Sequence, residues 1–340
     1  MVNESERSAM MGIALGYMSS QAVYVAAHLG LADLLASGVT DTGGLATECG
    51  ADRETMGRLL RALTASGVLT QLGPDEFSLT SQGHALRTDV PNSVRDFVQL
   101  YCSPAVWLAW ADLAATVRTG RTAFEAVHGM GAFAYCDANP EVARVFHRAM
   151  AEDAVQVAAL VAEAYDFEGL ASVADVGGGN GTLIAAVLQR RPHLHGILFD
   201  TAQGVSAAPA VLAAASAAER CSIVDGDFFA EVPPADLHLL KSTVHDWNDV
   251  DAARILTSCR AAAGPDGRLL LVERVLPTTL PALYDPHAVR HQLAGPVIMG
   301  GHERTAEDFH KLLEAAGYEL VRVSEELGET GYHLIEGRPV

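Results

Sequence analysis

The chain has 340 residues, which is about twice the length of a typical single domain and predicts two domains with separate cores. Its composition, with 49% hydrophobic residues, 19% charged residues and a formal net charge of -19, is typical of a folded acidic protein and excludes a disordered one. This charge disfavours nucleic acids and anionic membranes as partners, since proteins bind both through Lys and Arg.

The cysteines and the N-terminus indicate the compartment. The cysteines, 5 in number, are scattered without a C-x-x-C pair, so we expect buried small side chains rather than disulfides or a zinc site. The N-terminus has no apolar signal core, and no apolar run is long enough to span a membrane. We therefore expect a cytoplasmic protein.

The N-terminal half is predicted to be mainly helical. Residues 11–35 form helices too apolar to remain in water, so they need a partner surface. A helix over residues 53–65, capped by Asp52, is followed by strands at residues 68–72 and 77–79. A helix with such a hairpin indicates a winged-helix unit.

A winged helix raises the alternative of a DNA-binding regulator that senses a small molecule. The candidate recognition helix offers only Arg53, Arg58 and Arg61, beside Glu54. DNA affinity depends on a positive surface, so a structural or dimerising role is favoured.

Large side chains at helical spacing follow in residues 103–165, among them Trp107, Phe146 and Met150. Such residues belong either to the core or to the lining of a substrate pocket, and both interpretations stay open. We place the domain boundary near residues 167–171, which predicts domains 1–167 and 168–340.

From residue 173 short apolar runs alternate with helical segments, which predicts a largely parallel α/β sheet covered on both faces. The last two strands are expected to form an antiparallel pair. The predicted strands are residues 173–176, 196–199, 221–225, 237–241, 268–272, 320–323 and 332–336. This half should be Rossmann-like.

A glycine-rich turn follows the first of these strands. The run from Asp175 through Gly177 and Gly179 leads into a helix, where backbone N–H groups face a ligand. Asp200 ends the second strand, where a carboxylate can accept both ribose hydroxyls, and Asp227 with Phe228 follows the third. Together they predict a nucleotide-like ligand at one edge of the sheet.

This series resembles the S-adenosylmethionine-dependent methyltransferases, whose first motif is an acidic residue followed by G-x-G. NAD-type dehydrogenases are the rival interpretation. They carry G-x-G-x-x-G near the start of a chain, whereas here the motif lies in the second half and its last glycine, Gly181, follows after one residue.

A more specific resemblance, over nearly the whole chain, is to the small-molecule O-methyltransferases of the caffeate type and their actinobacterial polyketide and antibiotic counterparts. The matching stretches are residues 20–30, 146–150, 175–181, 226–229, 240–247, 273–277 and 300–305. The resemblance implies a Rossmann-like class I methyltransferase domain preceded by a mainly helical, winged-helix-containing dimerisation domain. It also implies a homodimer that methylates a small aromatic hydroxyl compound.

The resemblance implies roles for individual residues. S-adenosylmethionine would be held at Gly177, Asp200, Asp227, Phe228 and Lys241. The general base would be the histidine of the H-D-W triplet, which is His245.

Chemistry supports a histidine there, because a neutral phenol is a poor nucleophile and imidazole, with an ordinary pKa of about 6.5, accepts its proton near pH 7. Glu273 and Glu303 match the two acids that flank the base and would orient the imidazole. Glu273 closes a predicted strand and could instead form a structural ion pair with Arg274 or a neighbour. Asp246 is expected to cap a helix beside Trp247.

The segment 292–299, which ends at Met299, departs from the family pattern, so the acceptor contacts must differ. Trp107, Phe146, Met150, Asp246 and Met299 are the candidate acceptor contacts. N- or C-methylation and non-methylating reactions therefore remain open alternatives.

A metal site is a further alternative. His287 and His291 could bind a metal with His245 and Asp246, although an ordinary pocket helix explains their four-residue spacing. We expect no metal.

Overall fold

The computed structural model describes residues 3–280 and 285–340. The chain divides into two compact units, an N-terminal unit of Met1–Trp107 with Arg144–Glu152 and a C-terminal unit of Leu108–Ala143 with Asp153–Val340. The boundary near residues 167–171, between the predicted domains 1–167 and 168–340, remains a prediction.

The N-terminal unit is built from helices of different lengths and a hairpin. Its elements are α1 (Glu4–His28), α2 (Leu31–Ala36), α3 (Thr42–Glu48), α4 (Arg53–Ala65), β1 (Leu69–Gly73), β2 (Glu76–Leu79) and α5 (Arg95–Tyr101). β1 and β2 pair in antiparallel fashion directly after α4, which confirms the predicted helix and hairpin. Asp52 caps α4 by accepting a hydrogen bond from the Thr55 backbone N–H, as predicted.

A core of apolar side chains holds this unit together, with Leu45, Leu60 and Leu63 completely buried. Helix α1 contributes few buried side chains, since only Ala26 and Ala27 of its residues are buried. Several large apolar side chains of α1 are instead 42–63% exposed, namely Met10, Met11, Ile13, Leu15, Tyr17 and Met18. The expectation that this segment needs a partner surface therefore agrees with its exposure in the single chain.

Five helices follow in chain order, and two of them, α6 and α10, have residues in both units. They are α6 (Pro104–Ala111), α7 (Leu113–Thr119), α8 (Ala123–His128), α9 (Ala132–Ala138) and α10 (Pro140–Ala164).

The C-terminal unit contains the large sheet. Its remaining elements are β3 (Ser172–Val176), α11 (Thr182–Arg190), β4 (His195–Asp200), α12 (Ala208–Ala214), β5 (Cys221–Asp225), β6 (Leu237–Lys241), α13 (Asp249–Ala262), β7 (Arg268–Leu276), α14 (Pro286–Ala294), β8 (Arg304–Thr305), α15 (Ala306–Ala315), β9 (Tyr318–Val323) and β10 (Tyr332–Pro339).

The strand order is β5-β4-β3-β6-β7-β10-β9, with β8 paired to β7 beyond this path. Strands β3 to β7 are parallel, and β10 runs antiparallel to both β7 and β9. Two apolar clusters line the sheet, one including residues of α11 and α12 and the other residues of α13 and α15. The Rossmann-like fold and the final antiparallel pair are thus confirmed.

The strand ends differ from prediction mainly at β7. This strand continues to Leu276, so Glu273 lies within it and does not close it. The apolar pattern stopped at residue 272 because Glu273 and Arg274 are charged, yet Glu273 is completely buried. A buried charge inside a strand needs specific partners, which the site provides.

Candidate active site

The glycine-rich loop after β3 has a backbone that only glycine adopts easily. Gly177, Gly179 and Gly181 have φ values of +73°, +54° and +79°. A Cβ atom added to Gly178 would lie 2.5 Å from Leu198 Cδ1 and 2.6 Å from Asp175 Cγ. Leu198 and Asp175 therefore pack closely against the loop. The loop backbone leads directly into the N-terminus of α11, an arrangement that suits a nucleotide-like ligand.

Two acids beside this loop occupy the same edge of the sheet, because β3, β4 and β5 are adjacent and parallel. Asp200 Oδ2 accepts a hydrogen bond from the Gly179 backbone N–H at 2.8 Å, so this carboxylate also fixes the loop. Asp227 Oδ1 accepts one from the Phe229 backbone N–H at 2.8 Å. The structure thus brings together the glycines, Asp200 and Asp227 as predicted.

Asp175 lies beneath the loop and is 1% exposed. Burial raises the pKa of its carboxyl group to about 7, and the nearby charge of Asp200 acts in the same direction. Its Oδ2 atom has no hydrogen-bond partner among the described residues. Asp175 therefore supports the loop from inside the protein and does not present an exposed charge to a ligand.

Aromatic rings connect the third strand end to the segment after β6. The Trp247 ring centroid lies 4.7 Å from that of Phe229 and 6.0 Å from that of Phe228. Phe133 of α9 stacks on the same indole at 5.6 Å. Trp247 therefore holds Phe228, the predicted cofactor contact, against the turn that carries His245.

Lys241, at the end of β6, has a side chain that is 10% exposed and a partner that sequence reasoning missed. Its ammonium group forms an ion pair with Asp153 of α10. The same carboxylate accepts hydrogen bonds from Arg274 Nη2 at 3.2 Å and from the Tyr332 hydroxyl at 2.7 Å. No spacing signal identifies Asp153, because its partners follow it by 88 to 179 residues.

The Asp153 cluster is ionised at neutral pH. Burial raises the pKa of Asp153, but Lys241 and Arg274 outweigh burial and hold it well below its usual range. Burial lowers the pKa of Lys241, but Tyr332 and Asp153 raise it by more, so the net shift of this pKa is upward. The cluster therefore joins α10 to three adjacent strands through fixed charges.

Glu273 supports the turn that follows β6. Its Oε1 atom accepts hydrogen bonds from the backbone N–H groups of Thr243 at 2.9 Å and Val244 at 3.0 Å. These bonds fix the start of a 3₁₀ turn, Val244–Asp246. Of the alternative ion pairs, the one between Glu273 and Arg274 is wrong, since Arg274 pairs with Asp153, and the neighbour that faces Glu273 is His245.

His245 lies among three carboxylates. Its Nδ1 atom is 3.1 Å from Glu303 Oε1 and 3.8 Å from Glu273 Oε2. Its Nε2 atom is 3.5 Å from Asp246 Oδ1. Residues far apart in sequence thus form the cluster that the sequence predicted for the base and its flanking acids.

These charges change the protonation of His245. Burial lowers the pKa of the imidazole, but Glu303, Asp246 and Glu273 together raise it to about 10. The three acids therefore shift the pKa of His245 upward from the ordinary imidazole value of about 6.5. The acids favour the protonated imidazole, and the neutral imidazole that can accept a proton gains population as the pH rises.

The surrounding acids respond differently to burial. Burial raises the pKa of Asp246 to about 6, and His245 only partly offsets this. Burial also raises the pKa of Glu273, whereas His245 overcomes burial at Glu303 and lowers its pKa. Glu303 is therefore the carboxylate that most firmly keeps its charge beside the imidazole.

Asp246 does not cap a helix. The N-cap of α13 is Asn248, whose side chain accepts hydrogen bonds from the backbone N–H groups of Val250 and Asp251, both at 3.0 Å. Asp246 ends the 3₁₀ turn and faces His245 instead. Both residues are good caps, so composition alone could not choose between positions two residues apart.

The predicted acceptor contacts belong to different units. Met299 ends a π-helical turn, Gly295–Met299, in the C-terminal unit. Asp246, at the end of its 3₁₀ turn, belongs to the same unit. Trp107, Phe146 and Met150 belong to the N-terminal unit, where the Trp107 ring lies 5.7 Å from that of Tyr17. Their role in acceptor binding remains a prediction.

Histidine and carboxylate groups could also hold a metal. Within residues 3–280 and 285–340, the group whose ligand atoms lie within 4.8 Å of one another is His245, Glu273 and Glu303. It does not include His287 or His291, whose rings are 6.5 Å apart. Burial, with the charge of Arg290, lowers the pKa of His291 to about 4.

None of the helices in the described ranges has the length and apolarity needed to cross a bilayer.

The model of the O-methyltransferase domain matches residues 110–319, and that of the O-methyltransferase dimerisation domain matches residues 11–89. The chain belongs to the O-methyltransferase family. The methyltransferase carries both family domains in the predicted order.

Characterised relatives cover nearly the whole methyltransferase. Phenazine O-methyltransferase PhzM of Lysobacter antibioticus is 38% identical over 98% of this chain and 96% of the relative. The O-demethylpuromycin-O-methyltransferase of Streptomyces alboniger is 39% identical over 96% of this chain and 87% of the relative. A phenazine-1-carboxylate N-methyltransferase of Pseudomonas aeruginosa is 32% identical over 92% of each chain.

Solved structures identify the cofactor. The O-methyltransferase NcsB1 from neocarzinostatin biosynthesis, in complex with S-adenosylmethionine and 2-hydroxy-5-methyl naphthoic acid, is 29% identical. It superposes with a TM-score of 0.82 over 94% of this chain and 96% of its own. The present chain is an S-adenosylmethionine-dependent methyltransferase, and its glycine cradle with Asp200 and Asp227 fits that cofactor.

Proposed function

We propose that this methyltransferase methylates an aromatic hydroxyl group of a phenolic or hydroxyquinone-type small molecule in secondary metabolism, with His245 as the general base. The observation that carries the proposal is the placement of His245 Nδ1 at 3.1 Å from Glu303 Oε1. When Nδ1–H donates to this carboxylate, the proton-accepting nitrogen is Nε2. The other two acids increase its basicity.

S-adenosylmethionine supplies an electrophilic methyl carbon, whose bond to sulfur breaks with the electron pair passing to sulfur as the carbon–oxygen bond forms. His245 Nε2 takes the hydroxyl proton during this attack, a contribution of about a hundredfold or more. Glu303 and Glu273 then stabilise the imidazolium ion. Gly177, Gly179, Asp200, Asp227, Phe228 and Lys241 are proposed to hold the cofactor.

The acceptor and the chain partner are proposed on separate grounds. Relatives named for phenazine and naphthoic acid compounds support a planar aromatic acceptor. We assign Trp107, Phe146, Met150, Asp246 and Met299 to its binding.

A homodimer through the N-terminal domain is proposed because the apolar side chains of α1 are exposed in the single chain. The dimerisation model covers 11–89 and therefore much of this helix.

The proposal is tested with matched acceptors that differ only in the attacking atom. Naphthols and hydroxyquinones, and the corresponding arylamines, would be incubated with methyl-labelled S-adenosylmethionine and the products identified by mass spectrometry. We expect label on oxygen, in the wild type and not in His245→Ala. Methylation of the amines alone would favour the N-methyltransferase function of the Pseudomonas relative, and full activity of His245→Ala would exclude His245 as the base.

A further inference from the structure

Arg304 is a completely buried arginine immediately after Glu303. Its side chain is 0% exposed, and it lies in β8, where it pairs with Val275 of β7. A guanidinium group keeps its charge at any ordinary pH, so burying it is costly unless its donors are satisfied.

The guanidinium contacts the chain on both sides of His245. Its Nη1 donates to the Val244 carbonyl oxygen at 2.9 Å, and its Nη2 donates to the Trp247 carbonyl oxygen at 2.9 Å. One planar group therefore spans the turn from the residue before His245 to the second residue after it. The rigid fork of arginine suits this arrangement, whereas the single ammonium of lysine does not.

The only carboxylate paired with Arg304 in the described chain is that of Asp249, at the start of α13. Asp249 Oδ1 accepts from Arg304 Nε at 3.0 Å and from Nη2 at 2.8 Å. The Asp249 side chain is 69% exposed, so water screens it more than it screens the buried guanidinium. The buried hydrogen bond of Arg304 is the one to the Val244 carbonyl of the turn, and those to Trp247 and Asp249 are partly buried.

Gly301 brings the same segment against the other side of the turn. A Cβ atom at this position would lie 2.2 Å from the His245 carbonyl oxygen and 2.3 Å from the Trp247 backbone nitrogen. Residues 301–304 therefore approach the His245 turn closely at Gly301, contact its imidazole through Glu303 and hold its carbonyl groups through Arg304. All three contacts fix the distance between residues 301–304 and the His245 turn.

We propose that Arg304 is a positioning residue that fixes the backbone on either side of His245 and thereby maintains the His245–Glu303 hydrogen bond during methyl transfer. This inference rests on the proposed function of His245 as the base. Arg304 itself touches neither the acceptor nor the cofactor in this proposal. Glu303 and Arg304 thus form a pair in which one residue orients the imidazole and the next orients its backbone.

The test compares Arg304→Lys, which keeps the charge but loses the fork, with Arg58→Lys, an exposed arginine that pairs with Glu54. For Arg304→Lys we expect kcat to fall about a hundredfold, the effect of a displacement near 1 Å in an active site. S-adenosylmethionine binding, measured by calorimetry, should be unchanged and shows that the variant is folded. Arg58→Lys should retain wild-type kcat.

The pH profile distinguishes positioning from general stability. Losing the Glu303 hydrogen bond lowers the pKa of His245, so the acidic limb of the kcat/KM profile should move to lower pH in Arg304→Lys, as in Glu303→Gln. A merely structural role would lower the amplitude and leave the limb in place. Wild-type kcat and profile in folded Arg304→Lys would overturn the proposal, whereas a fully active His245→Ala would overturn the underlying function.

A milder variant covers the case in which Arg304→Lys does not fold. Asp249→Asn weakens one side of the guanidinium and retains both carbonyl contacts. We expect Asp249→Asn to lower kcat by less than about a hundredfold. The acidic limb of its kcat/KM profile should move to lower pH, as for Arg304→Lys. An unmoved limb in Asp249→Asn would then count against the proposal.

Discussion

The cofactor edge and the His245 turn occupy neighbouring strand ends of one sheet but are built differently. At the proposed cofactor edge, which carries the glycine-rich loop, three glycines have positive φ and two acids accept hydrogen bonds from backbone N–H groups. At the His245 turn, ionised side chains set one another's pKa values. Backbone conformation therefore determines the structure of the first region, and the charges of side chains determine that of the second.

This difference explains what each region tolerates. A backbone cradle fails when a side chain is added, whereas a charge cluster fails when a single charge is removed and its partner remains buried. Arg304 and Gly301 show that the His245 turn also depends on close backbone contact. Substitutions that change only charge or only shape therefore separate the two kinds of organisation.

The largest stability effect is expected from Asp153→Asn. Removing this charge leaves Lys241 and Arg274 buried without their carboxylate, which should cost about 3–5 kcal/mol and lower the melting temperature of the full chain. Glu163→Gln, an exposed acid on the same helix, is the control.

The pH dependence of that effect has a definite sign. The pKa of Asp153 is lowered in the folded protein, so its stabilisation is present above the unfolded value near 3.9 and is lost as the pH falls through the folded value. The difference between wild type and Asp153→Asn should therefore shrink below about pH 4. A constant difference from pH 7 to pH 3 would contradict the ion-pair account.

Shape at the His245 turn is tested by Gly301→Ala. The added methyl group must displace the backbone of the turn, so kcat should fall about a hundredfold while S-adenosylmethionine still binds. Gly264→Ala adds a methyl group with no atom within 4 Å and should be neutral. Normal turnover by Gly301→Ala would show that the turn tolerates displacement.

Charge at the same turn is tested by Glu303→Gln. A hydrogen bond from imidazolium to amide replaces one to carboxylate, so the plateau of kcat at high pH should fall about tenfold. The pKa of His245 falls with it, which moves the acidic limb to lower pH. Glu314→Gln, an exposed acid on α15, should change neither quantity, and an unmoved limb in Glu303→Gln would argue against His245 as the titrating base.

The smallest effect concerns the correction at α13. Asn248→Ala removes the observed cap and should destabilise the fold by about 1 kcal/mol. Thr257→Ala, on the exposed side of the same helix, should be neutral or slightly stabilising. Thermal unfolding of both variants measures the difference, and equal stability would deny Asn248 its capping role.

Most strands were predictable because buried parallel strands are continuous apolar runs, as at residues 269–272 of β7. The end of β7 was not, since Glu273 and Arg274 are charged residues buried by partners distant in sequence. His245, Glu273 and Glu303 were found through family resemblance.

The contacts of Asp153 and Arg304 depend on tertiary structure. No local pattern distinguishes a buried arginine that holds two carbonyl groups from an exposed one. Sequence patterns also leave helix boundaries uncertain by one or two residues, so they do not separate Asp246 from Asn248 as the cap.

Calorimetric titration of S-adenosylmethionine into wild type, Asp200→Ala and His245→Ala tests the separation of the two regions most directly. The account predicts binding by the wild type and by His245→Ala, loss of binding in Asp200→Ala, and loss of turnover in both variants. Absence of binding by the wild type, or equal loss in the two variants, would contradict the assignment of the cofactor to the glycine-rich edge and of the chemistry to the His245 turn.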